Sequence, residues 1–227
     1  MKIRDTTLVA VSSTRIDETL HALRHSMGKV RFDEVKFLTS AHLPNVQDLR
    51  VQPVAPIQSV DDYSDFIIYE LHKFIESRHC LIVQWDGFVI NERLWTDEFL
   101  TYDYIGAPFT PRPDDPGYAA DEQGQFYAVG NGGFSLRSKA LLQAPTDLQL
   151  RRPAWSGSKN EDGFFCVENR RRLEAEGFRW APESLAARFS NECGVLDRRF
   201  LRRSFGFHGL RLLQRHRVMR LWGSRGY

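Results

Sequence analysis

The feature that most constrains the fold is a short run without polar alternation, CLIVQ at residues 80–84. Such a strand must be covered on both faces, which is the situation of a parallel sheet packed between helices. A similar run, LVAVSS, occupies residues 8–13, and Ile16, Leu20, Leu23 and Met27 follow it at helical spacing, with Asp17 and Glu18 in the first turn. Residues 35–38 read as a further strand, and Pro44, Pro53 and Pro56 punctuate a loop region. Ser59 and Asp62 form a capping pair before a helix with Tyr63, Phe66, Ile67, Leu71, Phe74 and Ile75 on one face. Strands alternating with helices predict an α/β sandwich.

The second half is less regular. Residues 110–125 are rich in proline and acidic side chains and read as an exposed loop. Residues 134–136 are strand-like, residues 138–143 helical, and residues 160–176 predict a longer helix stopped by Gly177. With no internal repeat or linker, residues 1–209 are expected to form one domain, followed by a basic tail at 210–227.

Composition excludes several classes. No stretch approaches the ~20 consecutive apolar residues of a membrane span, and the first residues lack the pattern of a secretory signal. Cys80, Cys166 and Cys193 are odd in number and have no paired spacing, which suggests neither a disulfide framework nor a zinc knuckle, and hence a reducing, cytoplasmic setting. From residue 198 onward there are nine arginines and no Asp or Glu, leaving 22 basic against 29 acidic residues elsewhere. In the tail, Arg211, Arg215, Arg217, Arg220 and Arg225 are interleaved with Leu210, Leu213, Val218, Leu221 and Trp222. Such a segment can rest on an anionic membrane surface or pack back on the acidic remainder. A nucleic-acid partner is not expected.

Four groups of residues carry chemistry. Gln84, Trp85, Asp86 and Gly87 follow the buried run, so Asp86 lies at the carboxyl end of a strand, where ligands of open α/β sheets bind. A carboxylate there suits Mg²⁺ or Mn²⁺ with substrate phosphates, or simply starts a turn. In VGNGGFSLRSK (residues 129–139), Gly130, Gly132 and Gly133 surround Asn131, without the lysine and hydroxyl spacing of a P-loop. Asn160 precedes Glu161 and Asp162, which places two carboxylates in the first turn of a helix, for stability or as a general base. His208 lies in FGFHG, as a core, surface or ligand histidine.

The order of these groups resembles the GT-A glycosyltransferases, especially the inverting galactosyltransferase-like and fringe-like families. Those have an Asp-x-Asp motif, a Gly-Gly-Gly strand, a Glu-Asp helix start and a late histidine. WDGFVIN, FLTYDYIGAPF, VGNGGFSLRSK and NEDGFF resemble more closely still a bacterial domain family of uncharacterised function placed beside the glycosyltransferases. The resemblance implies a GT-A-like, Rossmann-like three-layer sandwich with a central mixed, mainly parallel sheet. It implies transfer of a sugar from a nucleotide diphosphate donor, a UDP-sugar by analogy, to a hydroxyl of a glycan or lipid-linked glycan. Surface polysaccharide synthesis at the inner membrane face would suit such an enzyme.

By the same resemblance, Asp86 and His208 match the ligands of a divalent cation, Mn²⁺ or Mg²⁺. Asp162 matches the catalytic base, and Glu161 its catalytic neighbour, which binds acceptor or orients the site. Ser12, Ser13, Thr14, Gln84, Trp85, Gly132 and Gly133 are expected along the donor, and Asn131, Trp155 and Asn160 along the acceptor. Trp85, Tyr102, Tyr104, Phe134 and Trp155 could stack on sugar rings or pack in the core. One departure stands out: Gln84 replaces the first Asp of Asp-x-Asp, which leaves one carboxylate fewer for a metal. Hydrolysis of nucleotide sugars by the same groups, and a non-catalytic binding role, are the alternatives.

Overall fold

The computed structural model describes residues 1–109, 118–152, 159–192 and 203–209. Trp155, Cys193 and the basic tail lie outside them, as does the first half, 110–117, of the proline-rich stretch read as a loop.

Strands β1 (Thr6–Val11), β2 (Glu34–Thr39), β3 (Arg50–Pro53), β4 (His79–Val83), β6 (Tyr104–Ile105) and β7 (Phe134–Ser138) form one sheet in the order β3-β2-β1-β4-β7-β6. The pairs β3–β2, β2–β1 and β1–β4 are parallel, while β7 runs antiparallel to both β4 and β6. This is the mixed, mainly parallel sheet expected, and its 3-2-1-4 portion has the Rossmann-like order. The buried strands supply both faces by simple alternation. Val9 and Val11 of β1, with Cys80 and Ile82 of β4, pack under α2 (Val60–Tyr69), α3 (Lys139–Asp147) and residues 164–167. Leu8 and Ala10, with Leu81 and Val83, pack on the other face under α1 (Ile16–Lys29) and α6 (Glu183–Phe189).

Several sequence expectations are corrected in detail. The loop region around Pro53 contains β3, a four-residue edge strand too exposed to show an apolar pattern. The predicted capping pair is a full capping box, Asp62 N donating to Ser59 Oγ and Ser59 N to Asp62 Oδ2, both at 3.0 Å. The helix it starts ends at Tyr69, however, and Leu71–Phe74 is a separate 3₁₀ turn. The long helix predicted over 160–176 is three pieces: α4 (Glu161–Gly163), a π-helical turn at Phe164–Glu168, and α5 (Arg170–Ala175). Four consecutive buried residues, Phe164 to Val167, set the register there, and π turns are a common distortion beside functional sites.

A second, small sheet has the order β5 (Gly87–Val89), β9 (Gly206–His208), β8 (Ser190–Asn191). Pairing of Gly87 with His208 and of Asn191 with Phe207 draws three distant segments to the carboxyl end of β4.

Candidate active site

In the main sheet β1 has β2 on one side and β4 on the other, and the chain leaves β1 for the first side before returning to the second. That is a topological switch point, where a crevice opens beyond the carboxyl ends of the two strands. A cavity of about 560 Å³ lies there. Its lining includes Ser12, Ser13 and Thr14 after β1, Gln84 and Trp85 after β4, Gly132 and Gly133 before β7, Asn160, Glu161 and Asp162 at α4, and His208. The structure thus gathers most of the residues singled out in the sequence. It adds Glu192, Tyr63 and the stretch 57–60, which the sequence did not point to.

The donor-side wall is braced across the cavity. Ile57 N donates to Ser13 Oγ at 2.8 Å, tying the loop after β1 to the approach to α2. Arg15 adopts the left-handed region at φ 46°, strained for a side chain of this size, and lays its guanidinium over the Trp85 ring at 4.3 Å.

At one end of the cavity, His208 stands between two carboxylates. Its Nδ1 is 2.9 Å from Glu192 Oε1, and its Nε2 is 3.2 Å from Asp86 Oδ1 and 3.0 Å from Gln84 Oε1. Nε2 donates to Gln84 Oε1, whereas the two carboxylate contacts are close but off the line of a hydrogen bond, so Asp86 Oδ1 and His208 Nδ1 are buried without a hydrogen-bond partner among the described residues, as is the other Glu192 oxygen, Oε2. Burial opposes the imidazolium, but Glu192 and then Asp86 outweigh it and hold the His208 pKa well above 6.5. Asp86 itself occupies the tight turn closed by Gly87 N donating to Gln84 O at 3.0 Å, the turn that its sequence position suggested.

Could this end hold a divalent cation? Among the described residues no three His, Cys, Asp or Glu converge on one point, because Glu192 and Asp86 face different ring nitrogens. The pair Asp86 and His208 does fit. Asp86 Oδ1 is buried and without a hydrogen-bond partner among the described residues, while a Cβ on Gly133 would lie 2.2 Å from His208 Nε2 and 2.4 Å from the carbons on either side, so that glycine makes room for the face of the ring. Two protein ligands plus substrate phosphate oxygens is an ordinary Mg²⁺ arrangement.

At the other end, Asp162 presents a carboxylate to the cavity. Its Oδ1 accepts from Tyr118 Oη at 2.5 Å and from Gly163 N at 2.7 Å, which leaves Oδ2 over. Glu161 is differently placed. Its Oε1 accepts from Arg137 Nη2 and its Oε2 from Asp162 N, at 2.7 and 2.9 Å. Both its oxygens are engaged within the protein, which fits the orienting alternative and not the acceptor-binding one. Burial, then the Asp162 carboxylate, push Glu161 above the usual carboxylate range against the pull of Arg137.

The glycines have a meaning the sequence did not reveal. A Cβ on Gly132 would lie 2.1 Å from Glu161 Oε1, so Gly132 and Gly133 make room for Glu161 and His208 as well as facing the cavity. Asn131 is absent from the lining, and its amide donates to Pro108 O at 2.9 Å, which turns it away from the acceptor role expected of it. Asn160 lines the cavity but makes no side-chain cap on α4. It is positioned through Arg152, whose Nε donates to Lys159 O at 3.0 Å and whose guanidinium also pairs with Asp61 and Asp65 of α2. Asp86 lies behind the lining, beside His208. Of the aromatic candidates, Trp85 reaches the cavity, whereas Tyr104 and Phe134 are core and Tyr102 packs against it. No described helix is long and apolar enough to cross a membrane.

Residues 46–208 match a family model described as a protein of unknown function (DUF5672). No curated protein matches. Among solved structures, the chain is similar to the mannosyltransferase PcManGT from Pyrobaculum calidifontis in complex with GDP-Man and Mn²⁺, at 13% identity and a TM-score of 0.44, covering 80% of this chain and 55% of that one. It is also similar to A197 from STIV, at 13% identity and a TM-score of 0.37, covering 77% and 79%. The chain spans little more than half of the mannosyltransferase structure, and likenesses this weak carry no chemistry with them.

Proposed function

The chain belongs to the DUF5672 family, and we propose that it is a glycosyltransferase that moves a sugar from a nucleotide diphosphate donor to a hydroxyl acceptor with inversion. The observation that carries this reading is the division of one cavity between two kinds of site. A carboxylate anchored by one oxygen stands at one end and His208, backed by Asp86, at the other, with a hydroxyl-rich wall between the strand ends.

The donor would lie along Ser12, Ser13, Thr14 and Trp85, its diphosphate directed toward Asp86 and His208. Those two residues would hold Mn²⁺ or Mg²⁺, which offsets charge on a leaving diphosphate. Asp162 Oδ2 takes the proton of the acceptor hydroxyl as its oxygen attacks the anomeric carbon, and the bond to the diphosphate breaks on the opposite side. Glu161 and Arg137 hold the backbone beneath Asp162. UDP-sugars are the first donors to test, and a glycan or lipid-linked glycan is the acceptor class. Transfer requires acceptor-linked product of inverted anomeric configuration by NMR, whereas free sugar with no such product would establish a hydrolase instead.

Tyr118 sharpens the test. A hydrogen bond to a charged group is worth about 1.5–3 kcal/mol, and about 1.4 kcal/mol is a factor of ten in rate. Tyr118→Phe removes the donor that fixes Asp162 Oδ1 and with it the orientation of the carboxylate, so the transfer rate should fall by about tenfold or more. An unchanged rate would show that the Tyr118–Asp162 contact plays no part in the reaction.

A further inference from the structure

We propose that the hydroxyl of Tyr63 recognises the C2 hydroxyl of the sugar that the donor carries. The inference rests on the reading of the cavity as a nucleotide-sugar site and deepens it by assigning a contact that selects the sugar.

Tyr63 stands on α2, where it lines the cavity. Its ring is used by the fold, packing against the core cluster that α2 and α3 share with the sheet. Its hydroxyl is not. Oη is buried and has no hydrogen-bond partner among the described residues. The Gln84 amide lies beside it but off the geometry of a hydrogen bond. Phenylalanine would fill the same space without the cost of an unpaired polar atom, so the oxygen points to a ligand.

The helix that carries Tyr63 is held in place from two sides. The Ser59–Asp62 capping box fixes its first turn, and Tyr63 N donates to Ser59 O at 3.1 Å. Arg152 pairs with Asp61 and Asp65, which flank Tyr63 on the helix, and its Nε donates to Lys159 O at 3.0 Å. The helix is thereby tied to the segment that leads into Asp162, which preorganises the hydroxyl.

The neighbours of the hydroxyl identify the part of a donor it meets. On one side is Gln84, whose Oε1 accepts from His208 Nε2 at 3.0 Å at the diphosphate end. The charges of Glu161 and Asp162 act on it from the end of the base. An inverting displacement runs from base to leaving diphosphate through the anomeric carbon. A group beside the middle of that line meets the ring oxygen and the C2 hydroxyl. Donation to the ring oxygen would oppose the positive charge that builds there, whereas the C2 hydroxyl accepts without that cost. Burial, then Glu161, hold the Tyr63 pKa above its ordinary 10, so the hydroxyl keeps its proton and remains a donor. A site built to pair with a substrate hydroxyl rejects the analogue that lacks it.

The test is the affinity of the full chain for donors, by isothermal titration with Mn²⁺ present. The probe is whichever of UDP-glucose, UDP-galactose, dTDP-glucose and GDP-glucose binds the wild type most tightly, with its 2-deoxy analogue and the bare nucleotide diphosphate alongside. The wild type is expected to prefer the donor to the 2-deoxy analogue by about tenfold. Tyr63→Phe is expected to lose that preference, to bind the bare nucleotide diphosphate as the wild type does, and to melt at least as high without ligand. A preference kept in Tyr63→Phe, or equal weakening of the donor and the bare nucleotide diphosphate, overturns the inference and leaves the nucleotide-sugar reading standing. Should Tyr63→Phe fail to fold, the wild type decides, since equal affinity for the donor and its 2-deoxy analogue overturns the inference as well. No binding of any of the four donors by the wild type overturns both readings.

Discussion

Arg137→Met is expected to destabilise the chain by about 3–5 kcal/mol, the cost of leaving a buried charge without its partner. Arg137 is fully buried, donates to Glu161 at 2.7 Å and to Ser135 Oγ at 3.1 Å, and lays its guanidinium over the Tyr104 and Phe165 rings at 4.9 and 5.4 Å. Methionine restores much of the packing but none of the charge. The loss should also depend on pH. Burial and Asp162 already raise Glu161 above its ordinary 4.5, so in the window above 4.5 the folded chain holds a proton that the unfolded chain has released. Stability from this group therefore falls as pH rises through that window. Removing Arg137 takes away the downward pull and widens the window, so the variant's deficit should grow between about pH 5 and about pH 8. Urea unfolding at the two pH values measures it, and a deficit below about 1 kcal/mol at both would show that the pair contributes little.

Asp162→Asn is the second large effect, on turnover rather than on stability. Asparagine keeps an oxygen for Tyr118 and Gly163 to donate to, so the local hydrogen bonds and the cavity wall survive. What disappears is the basic Oδ2, and removal of a general base costs about 10²–10⁴-fold. Donor binding should remain as in the wild type. A variant retaining more than about a third of the wild-type rate would place the base elsewhere. Glu161 could not simply take over, since both its oxygens are committed to Arg137 and the backbone.

The sheet was readable in the sequence because burial on both faces forces an unbroken apolar run, as in β1 and β4. The short elements were not. β3 is an exposed edge, and β5, β8 and β9 are two or three residues long and exist only through pairing, β5 with β9 across more than a hundred positions and β9 with β8 across a shorter stretch. That pairing brings Glu192 to His208, so no local pattern could have announced Glu192. Tyr118 was hidden differently: it lies within the proline-rich acidic stretch 110–125 that reads as solvent-exposed, yet its hydroxyl turns inward to Asp162. Asp162, Asp86 and His208 were legible from motif order. The glycines were legible as a site but not for the right reason, because the side chains they make room for arrive from α4 and β9. The break of the 160–176 helix at a π turn likewise depends on core packing that periodicity does not record.

The central claim is that the cavity between the ends of β1 and β4 binds a nucleotide diphosphate sugar. Thermal shift of the full chain against a panel of nucleotide sugars, each with and without Mn²⁺, tests it most directly. At a hundredfold excess over Kd, binding adds about 2.7 kcal/mol to stability. The account predicts a clear rise in Tm for at least one donor, larger with Mn²⁺ and kept in Asp162→Asn. Unchanged melting across the whole panel, with and without the cation, would contradict it.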